Sequence, residues 1–264
     1  METAATDNTP PTYSRSHRVV EIVSIALVLT TLFAMAWRVV DAMETTWDWT
    51  NLGFTALTGY LISDFISGLV HWAGDTIGDE STPFVGKNFV TPFRQHHVDP
   101  KDITRHDFIE TNGNNCIVVL APLTAAYLLL PRETGYGFFS ATLMGFVSMF
   151  IVATNQFHKW AHADEPPRLA ARLQRWGLIL STEHHDIHHA QPHYKHYCIT
   201  VGWMNPVLNR IRFFRAAEAM IAAVRPQWLH LEERHRQAAL GRQGSSSAAG
   251  DGVVDPAVGP PRAL

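Results

Sequence analysis

Residues 136–157 read YGFFSATLMGFVSMFIVATNQF, without one charged side chain, and run straight into HKWAH, which sets histidines at 158 and 162. A helix needs about 20 apolar residues to cross roughly 30 Å of hydrocarbon, so this stretch predicts a transmembrane helix with a histidine-bearing end. Upstream, across a short 131–135 linker, residues 116–130 are almost purely apolar, and the two blocks predict a tight antiparallel pair. Residues 52–72 predict a further span with Asp64 inside it, a charge that should face protein or water rather than lipid. Residues 19–37, VVEIVSIALVLTTLFAMAW, complete a set of four, with Glu21 close to the start.

These blocks resolve a composition that otherwise looks contradictory. Charged residues are 17 % of the 264, against roughly 25 % in soluble domains, and 46 % are hydrophobic, yet the mean hydropathy is −0.04. The polar remainder offsets the spans. A net charge of −3 excludes a strongly basic nucleic-acid binder, so no nucleic-acid partner is expected. Two cysteines, Cys116 and Cys198, exclude a disulfide scaffold and a four-cysteine zinc site and read as packing residues. The expected fold is an all-α polytopic membrane protein: four transmembrane helices (19–37, 52–72, 116–130, 136–157) and a cytoplasmic, histidine-rich helical cap at 158–239. This domain, 18–239, is expected between disordered tails at 1–17 and 240–264, the second rich in Gly, Ser, Ala and Pro.

Charge orients the chain. The 38–51 connection holds one arginine against three acids, and the 131–135 turn holds only Arg132. The other 19 of the 21 Lys and Arg fall on the opposite side, which predicts that both termini are cytoplasmic. All 15 histidines fall on that same side, an independent agreement. The absence of a targeting sequence leans toward a bacterial inner membrane. Residues 168–180, RLAARLQRWGLIL, and 203–224 have the mixed basic and apolar character of interfacial helices. Trp72 and Trp160 read as interfacial anchors.

The histidines cluster as chemistry requires. His71 and Asp75 lie in HWAGD, His96 and His97 in RQHHVDP, His106 in RHDF, His158 and His162 in HKWAH, and His184, His185, His188 and His189 in EHHDIHH. Residues i and i+4 share a helix face, so His71/Asp75 and His158/His162 can each grip one ion, and His185, His188 and His189 can aim at one volume. Ten histidines and one aspartate exceed what one ion can use, so two metals are expected. Imidazole suits Fe, Zn, Cu and Ni, and HExxH is absent. A two-iron, nitrogen-rich site at the cytoplasmic face suits O2 activation against unactivated C–H bonds of a lipid chain. That chemistry requires O2 and an external electron donor, such as a cytochrome b5 or a ferredoxin with its reductase. Asn155, His193 and His196 are candidates for positions behind the ligands or against substrate, whereas His17, His230 and His235 lie outside every cluster.

The motifs HWAGD, QHHVDP, RHDFIETNGNNC, NQFHKWAH, EHHDIHH and PHYKHYCITVGWMN, in this order over about 50–215, resemble the plasmanylethanolamine desaturase family, also called Kua or CarF-type lipid desaturases. The resemblance implies a four-helix, two-iron desaturase converting the 1-O-alkyl chain of an ethanolamine phospholipid to a vinyl ether, the plasmalogen linkage. It carries the ligand role to His71, His96, His97, His106, His158, His162, His185, His188 and His189, with Asp75 as ligand or just behind one, and His184 in the same motif. Two positions depart from general acyl desaturases: Asp75 stands where those carry a histidine, and Phe93 replaces the first histidine of the second motif, with His106 a possible substitute. A plastid desaturase of phosphatidylglycerol acyl chains shares much of the pattern. An acyl-phospholipid desaturase or a hydroxylase is therefore the alternative, and a histidine-rich metal transporter or sensor is a non-enzymatic second.

Overall fold

The computed structural model describes residues 14–43, 46–83, 86–131 and 135–229. Among them there is no strand beyond a single Ile77–Leu229 bridge, as the all-α expectation requires. The tail expected at 240–264, and His230 and His235, lie outside the described residues.

Four long helices form the body: α1 (Arg15–Asp41), α2 (Thr46–Thr76), α5 (Phe108–Leu129) and α6 (Gly135–His162). Between α2 and α5 lie a short π-helix, α3 (Thr91–Val98) and α4 (Asp102–Arg105); after α6 come α7 (Arg168–Arg175), α8 (Thr182–His189), α9 (Asn205–Arg210) and α10 (Phe213–Val224). α1, α2 and α6 are long and apolar enough to cross a membrane. α5 was expected as a span at 116–130, but its helix starts earlier, at an Asp107 cap whose carboxylate accepts from Ile109 N–H and Glu110 N–H at 3.0 Å each. Its polar opening turns, ETNGNN, dilute the apolar run from Cys116 onward.

The helices also overrun the other expected limits. α1 begins at Arg15, where Ser14 Oγ accepts from His17 N–H, so the tail boundary at 17 is corrected. α2 continues past 72 to include Asp75, and α6 continues past 157 to carry His158 and His162 itself. His158 and His162 thus belong to α6 rather than to the separate cap expected from 158. The 203–224 segment is broken into α9 and α10 at Arg212, whose backbone is left-handed at φ 54°.

The long helices are inverted relative to a soluble bundle. On α1, Val19, Ile22, Leu29, Phe33 and Trp37 face outward, whereas Glu21, Ser24, Val28 and Met35 face inward on α5. Such a continuous apolar exterior matches hydrocarbon as the surroundings. The α1–α5 seam closes on Val28, Met35, Cys116, Val119 and Leu123. It also needs Gly113, where a Cβ would stand 2.5 Å from that of Glu21, the small-residue approach typical of helix pairs in lipid. At the ends of the pair, Arg18 bonds Asp107 at 2.5 Å and Arg38 bonds the Tyr127 carbonyl at 3.1 Å. The α5–α6 seam uses asparagines: Asn115 donates to the Ile151 carbonyl (2.7 Å), and Asn155 to the Thr111 carbonyl (3.1 Å) and Asn115 Oδ1 (3.2 Å).

Asp64 is buried and fully engaged by protein. The chain after α8 runs antiparallel down α2: Ile199 N–H donates to Ser67 Oγ at 3.0 Å, Val201 and Gly202 N–H to Asp64 Oδ1 at 2.9 Å, and Met204 N–H to Asp64 Oδ2 at 3.0 Å. A carboxylate that accepts three backbone N–H groups is compensated without a counter-ion. The same clamp buries Trp72 against Tyr197, Leu208 and Phe214, with its indole N–H on Glu218 at 3.2 Å. Trp72 is thus a core residue rather than an interfacial anchor. Trp160 is half-buried.

Candidate metal centre

The C-terminal ends of α2 and α6 meet α3 and α8, and each of these four helices presents histidines to the junction. Local sequence fixes the two short ones. α3 starts with Pro92 in its first turn, and Arg94 bonds the Gly78 carbonyl at 2.5 Å. Phe93, the residue expected to be a histidine in other desaturases, packs on Gly74 and on the His71 ring (5.4 Å). α8 is capped by Ser181, whose Oγ accepts from His184 N–H, and Thr182 Oγ–H donates to the Ala161 carbonyl at 2.8 Å beside His162.

Two donor groups result. The first joins His96 from α3, His158 and His162 from α6, and His185 and His189 from α8. Its Nε2 atoms close a five-membered circuit: 158 to 185 at 2.8 Å, 185 to 189 at 3.1 Å, 189 to 96 at 3.2 Å, 96 to 162 at 3.0 Å and 162 to 158 at 3.2 Å. A neutral ring nitrogen is either donor or acceptor. Around an odd circuit the two roles cannot alternate, so hydrogen bonding alone cannot satisfy the set. A cation accepts all five lone pairs. With metal–nitrogen bonds of about 2.0–2.1 Å, adjacent ligands at right angles stand about 3.0 Å apart, which is the spacing seen.

The second group joins His71 and Asp75 from α2, His97 from α3 and His188 from α8. Asp75 stands 3.1 Å from His97 Nε2, 3.4 Å from His188 Nε2 and 3.7 Å from His71 Nε2. Both carboxylate oxygens and the three Nε2 atoms are buried without a well-formed hydrogen bond. Each such orphan costs about 1–3 kcal/mol, and a divalent cation between them removes the cost. The outer nitrogens are fixed: His71 Nδ1–H donates to the Tyr197 carbonyl at 3.2 Å and His188 Nδ1–H to the Lys195 carbonyl at 2.9 Å. That tautomer leaves Nε2 with its lone pair toward the group, the usual brace behind a metal ligand.

The groups adjoin. His96 and His97, consecutive in α3, divide between them, and in α8 the pair His185/His189 serves one while His188 serves the other. The His71 ring lies 6.0 Å from that of His158. Burial favours the neutral, ligating form at His96, His188 and His189. His96 is pushed down to about 3 by desolvation and then by neighbouring His189, and His189 to about 2 by desolvation and then by His188. For His188 desolvation lowers the pKa while Asp75 opposes it.

Nine of the eleven expected ligands converge, and two do not. His106 lies just after α4 with Nε2 3.4 Å from Asp102 and 3.7 Å from Glu110, and its carbonyl accepts from Lys159. His184 lies on the His188 edge of α8 but turns away from both groups, where Nε2 accepts from Asn205 Nδ2 at 2.9 Å and stands 3.1 Å from His196 Nδ1. His196 accordingly braces His184 rather than a donor group. His193 sits against His97 (rings 4.3 Å apart) and bonds the His188 carbonyl at 3.0 Å, beside the second group. Asn155 belongs to the α5–α6 seam. Sequence reading missed the carbonyls of Lys195 and Tyr197 and the bridging role of Asn205, which also pairs with both backbone groups of Cys198 at 2.9 Å. Backbone partners carry no side-chain signature.

Both groups lie at one end of the long helices rather than midway along them, which disfavours a transport route. Comparison with known proteins agrees. The profile described as the lipid desaturase domain matches residues 60–227. The plasmanylethanolamine desaturase of Myxococcus xanthus is 48 % identical over 210 residues, covering 79 % of this chain and 73 % of that one. Plasmanylethanolamine desaturase 1 of Mus musculus is 46 % identical over 181 residues (66 % and 67 %), and the chloroplastic fatty acid desaturase 4 of Arabidopsis thaliana 37 % over 177 (64 % and 52 %). No solved structure matches. All nine converging side chains fall within the matched domain, and the chain belongs to the lipid desaturase family of oxidoreductases.

Proposed function

We propose that the chain converts the 1-O-alkyl chain of an ethanolamine ether phospholipid into a 1-O-alk-1′-enyl chain, and that the nine converging residues hold two iron ions. The observation that carries the substrate assignment is the similarity itself: two plasmanylethanolamine desaturases match at 46–48 % identity, against 37 % for an acyl desaturase. The donor set supports two metals, with eight imidazoles and one carboxylate in two adjoining groups. Zinc has no redox chemistry, and imidazole-rich sites suit iron. When bound, the irons supply the oxidising equivalent drawn from O2.

The reaction removes one hydrogen from each of the first two alkyl carbons. Two electrons from an external carrier, of cytochrome b5 or ferredoxin type, join those hydrogens and two protons in reducing O2 to two waters. The chain's own contribution is positional. Tyr197 and Lys195 carbonyls orient His71 and His188, the Asp64 clamp fixes that segment against α2, and the buried walls keep water from the oxidant. We read α5 as a fourth span, with both termini and the histidine end cytoplasmic, an orientation that the distribution of Lys and Arg supports, and we place the chain in a bacterial inner membrane. The acyl-phospholipid alternative rests on the Arabidopsis relative.

The test is expression in cells that lack vinyl-ether lipids, supplied with a 1-O-alkyl precursor, with lipids read by mass spectrometry. Vinyl-ether ethanolamine lipid is expected. Its absence from an iron-loaded, reductant-supplied enzyme, or acyl-chain unsaturation in its place, overturns the assignment.

A further inference from the structure

An open cleft of 680 Å3 lies between α7 and the start of α8, lined by Arg168, Arg172, Arg175, Ser181, Thr182 and Glu183. Its volume is in the range of small-ligand sites. The arginines recur at i, i+4 and i+7, so one face of α7 carries three guanidinium groups, and none of them makes a salt bridge among the described residues. Across the cleft stands one carboxylate, Glu183. Three cations facing one anion complement a ligand with a phosphate and an ammonium.

The depth of the cleft suits a phospholipid. Contacts between α5 and α6 bring the Arg18–Asp107 pair level with Lys159, whose ammonium bonds the neighbouring His106 carbonyl, and this belt of charge marks the polar boundary. Thr182, which lines the cleft, bonds the Ala161 carbonyl at 2.8 Å and so lies at that level. Just beyond α7, Leu178 is tied through its carbonyl to Tyr60, whose ring packs on Phe150 at 4.5 Å, about 13 Å farther along α6 from Lys159. Trp176 and Leu178, which follow α7 without lining the cleft, are exposed, so a polar cleft at headgroup depth is followed along the chain by apolar surface at acyl depth. His185 follows Thr182 by about one helical turn, roughly 5 Å. A headgroup in the cleft therefore sits against the start of the helix that carries His185 and His189 of the five-histidine group.

We propose that this cleft binds the zwitterionic headgroup of the phospholipid substrate, its phosphate against Arg168, Arg172 and Arg175 and its ammonium against Glu183; this rests on the phospholipid reading above. An acidic carrier protein would meet the same arginines, but the carboxylate on the cleft wall repels an acidic surface, and the exposed Trp176 and Leu178 that follow α7 fit a lipid better.

The test uses the metal-loaded enzyme in nanodiscs and compares 1-O-alkyl lipids bearing ethanolamine phosphate, glycerol phosphate or no phosphate. The triple variant Arg168→Gln/Arg172→Gln/Arg175→Gln should raise KM for the ethanolamine phospholipid about tenfold or more, as expected for lost charge-assisted phosphate contacts. It should retain severalfold less of that lipid in native mass spectrometry and leave bound metal and turnover of the phosphate-free lipid unchanged. Glu183→Lys should shift preference from the ethanolamine to the glycerol headgroup. Wild-type KM and retention in the triple variant overturn the proposal. So does a KM that rises for the electron carrier but not for lipid, and so does displacement of lipid by inorganic phosphate as readily as by glycerophosphoethanolamine. If the wild type makes no vinyl ether while the triple variant still loses lipid, the substrate reading fails and the headgroup site stands.

Discussion

The two donor groups sit side by side yet are built differently. The first is five imidazoles, uncharged as ligands, drawn from α3, α6 and α8; the second is three imidazoles and Asp75, drawn from α2, α3 and α8. Two of the second group's histidines are braced from behind by the carbonyls of 195 and 197, a segment itself locked to α2 through Asp64 and Ser67. The first has no such brace at His185, whose Nδ1 is buried without a hydrogen bond. His97 Nδ1 in the second group is buried in the same way, so the backbone brace belongs to His71 and His188 rather than to a whole group. What separates the groups is charge, one carrying a carboxylate and the other none, and it teaches that adjoining donor groups need not be equivalent.

The largest effects should come from removing one donor on each side. Loss of a residue behind a ligand typically costs 10–100-fold in metal affinity or activity, so loss of a ligand should cost more than about 100-fold. His158→Ala and Asp75→Ala should both abolish product. Metal analysis should separate them: each variant should keep the metal of the undamaged group, with stoichiometry falling from two to one. If either variant loses both metals while remaining folded, the groups are one cooperative site and the comparison collapses.

Protonation should also divide them. His96 and His189 have folded pKa values of about 3 and about 2, against roughly 6.5 in an unfolded chain. Below 6.5 the unfolded chain takes up protons that the folded site refuses, so stability falls as pH drops from 6.5 toward 3 and is level above 6.5. In the second group the Asp75 carboxylate offsets part of the same penalty at His188. The melting temperature of metal-free protein should therefore decline through that window, and His189→Gln should flatten the slope more than His188→Gln. An equal flattening would erase the electrostatic distinction.

Much of this was legible in the chain. The charge-free 136–157 run gave a long helix, the i, i+4 spacings of His158/His162 and His185/His189 gave shared faces, and Asp64 was expected to face protein or water rather than lipid. Helix ends were less legible, because caps such as Ser14 and Asp107 lie outside the apolar runs that announce a span. The split into two groups was illegible. Adjacent residues such as His96 and His97 diverge by about 100° around a helix, and which one meets α6 or α2 depends on how Phe93 seats α3 on Gly74. Spacing pointed to His185, His188 and His189, the shared motif carried His184 with them, and only the fold turns His184 toward Asn205.

The smaller predictions concern those outliers. His184→Ala removes an acceptor for Asn205 and a contact of His196 in a braced, half-buried position and should cost about 1–2 kcal/mol of stability while both metals stay. His106→Ala should matter least. Its ring is partly exposed, and its contacts to Asp102 and Glu110, at 3.4 and 3.7 Å, are surface pairs worth at most about 1 kcal/mol. The contact that ties this turn to α6 is the His106 carbonyl with Lys159, which the substitution leaves in place. Metal stoichiometry should remain two, product formation should stay within about threefold of wild type, and the melting temperature should barely move. A His106→Ala enzyme that loses a metal would add a sixth imidazole to one group and make motif resemblance a better guide to the ligands than the convergence of their ring nitrogens.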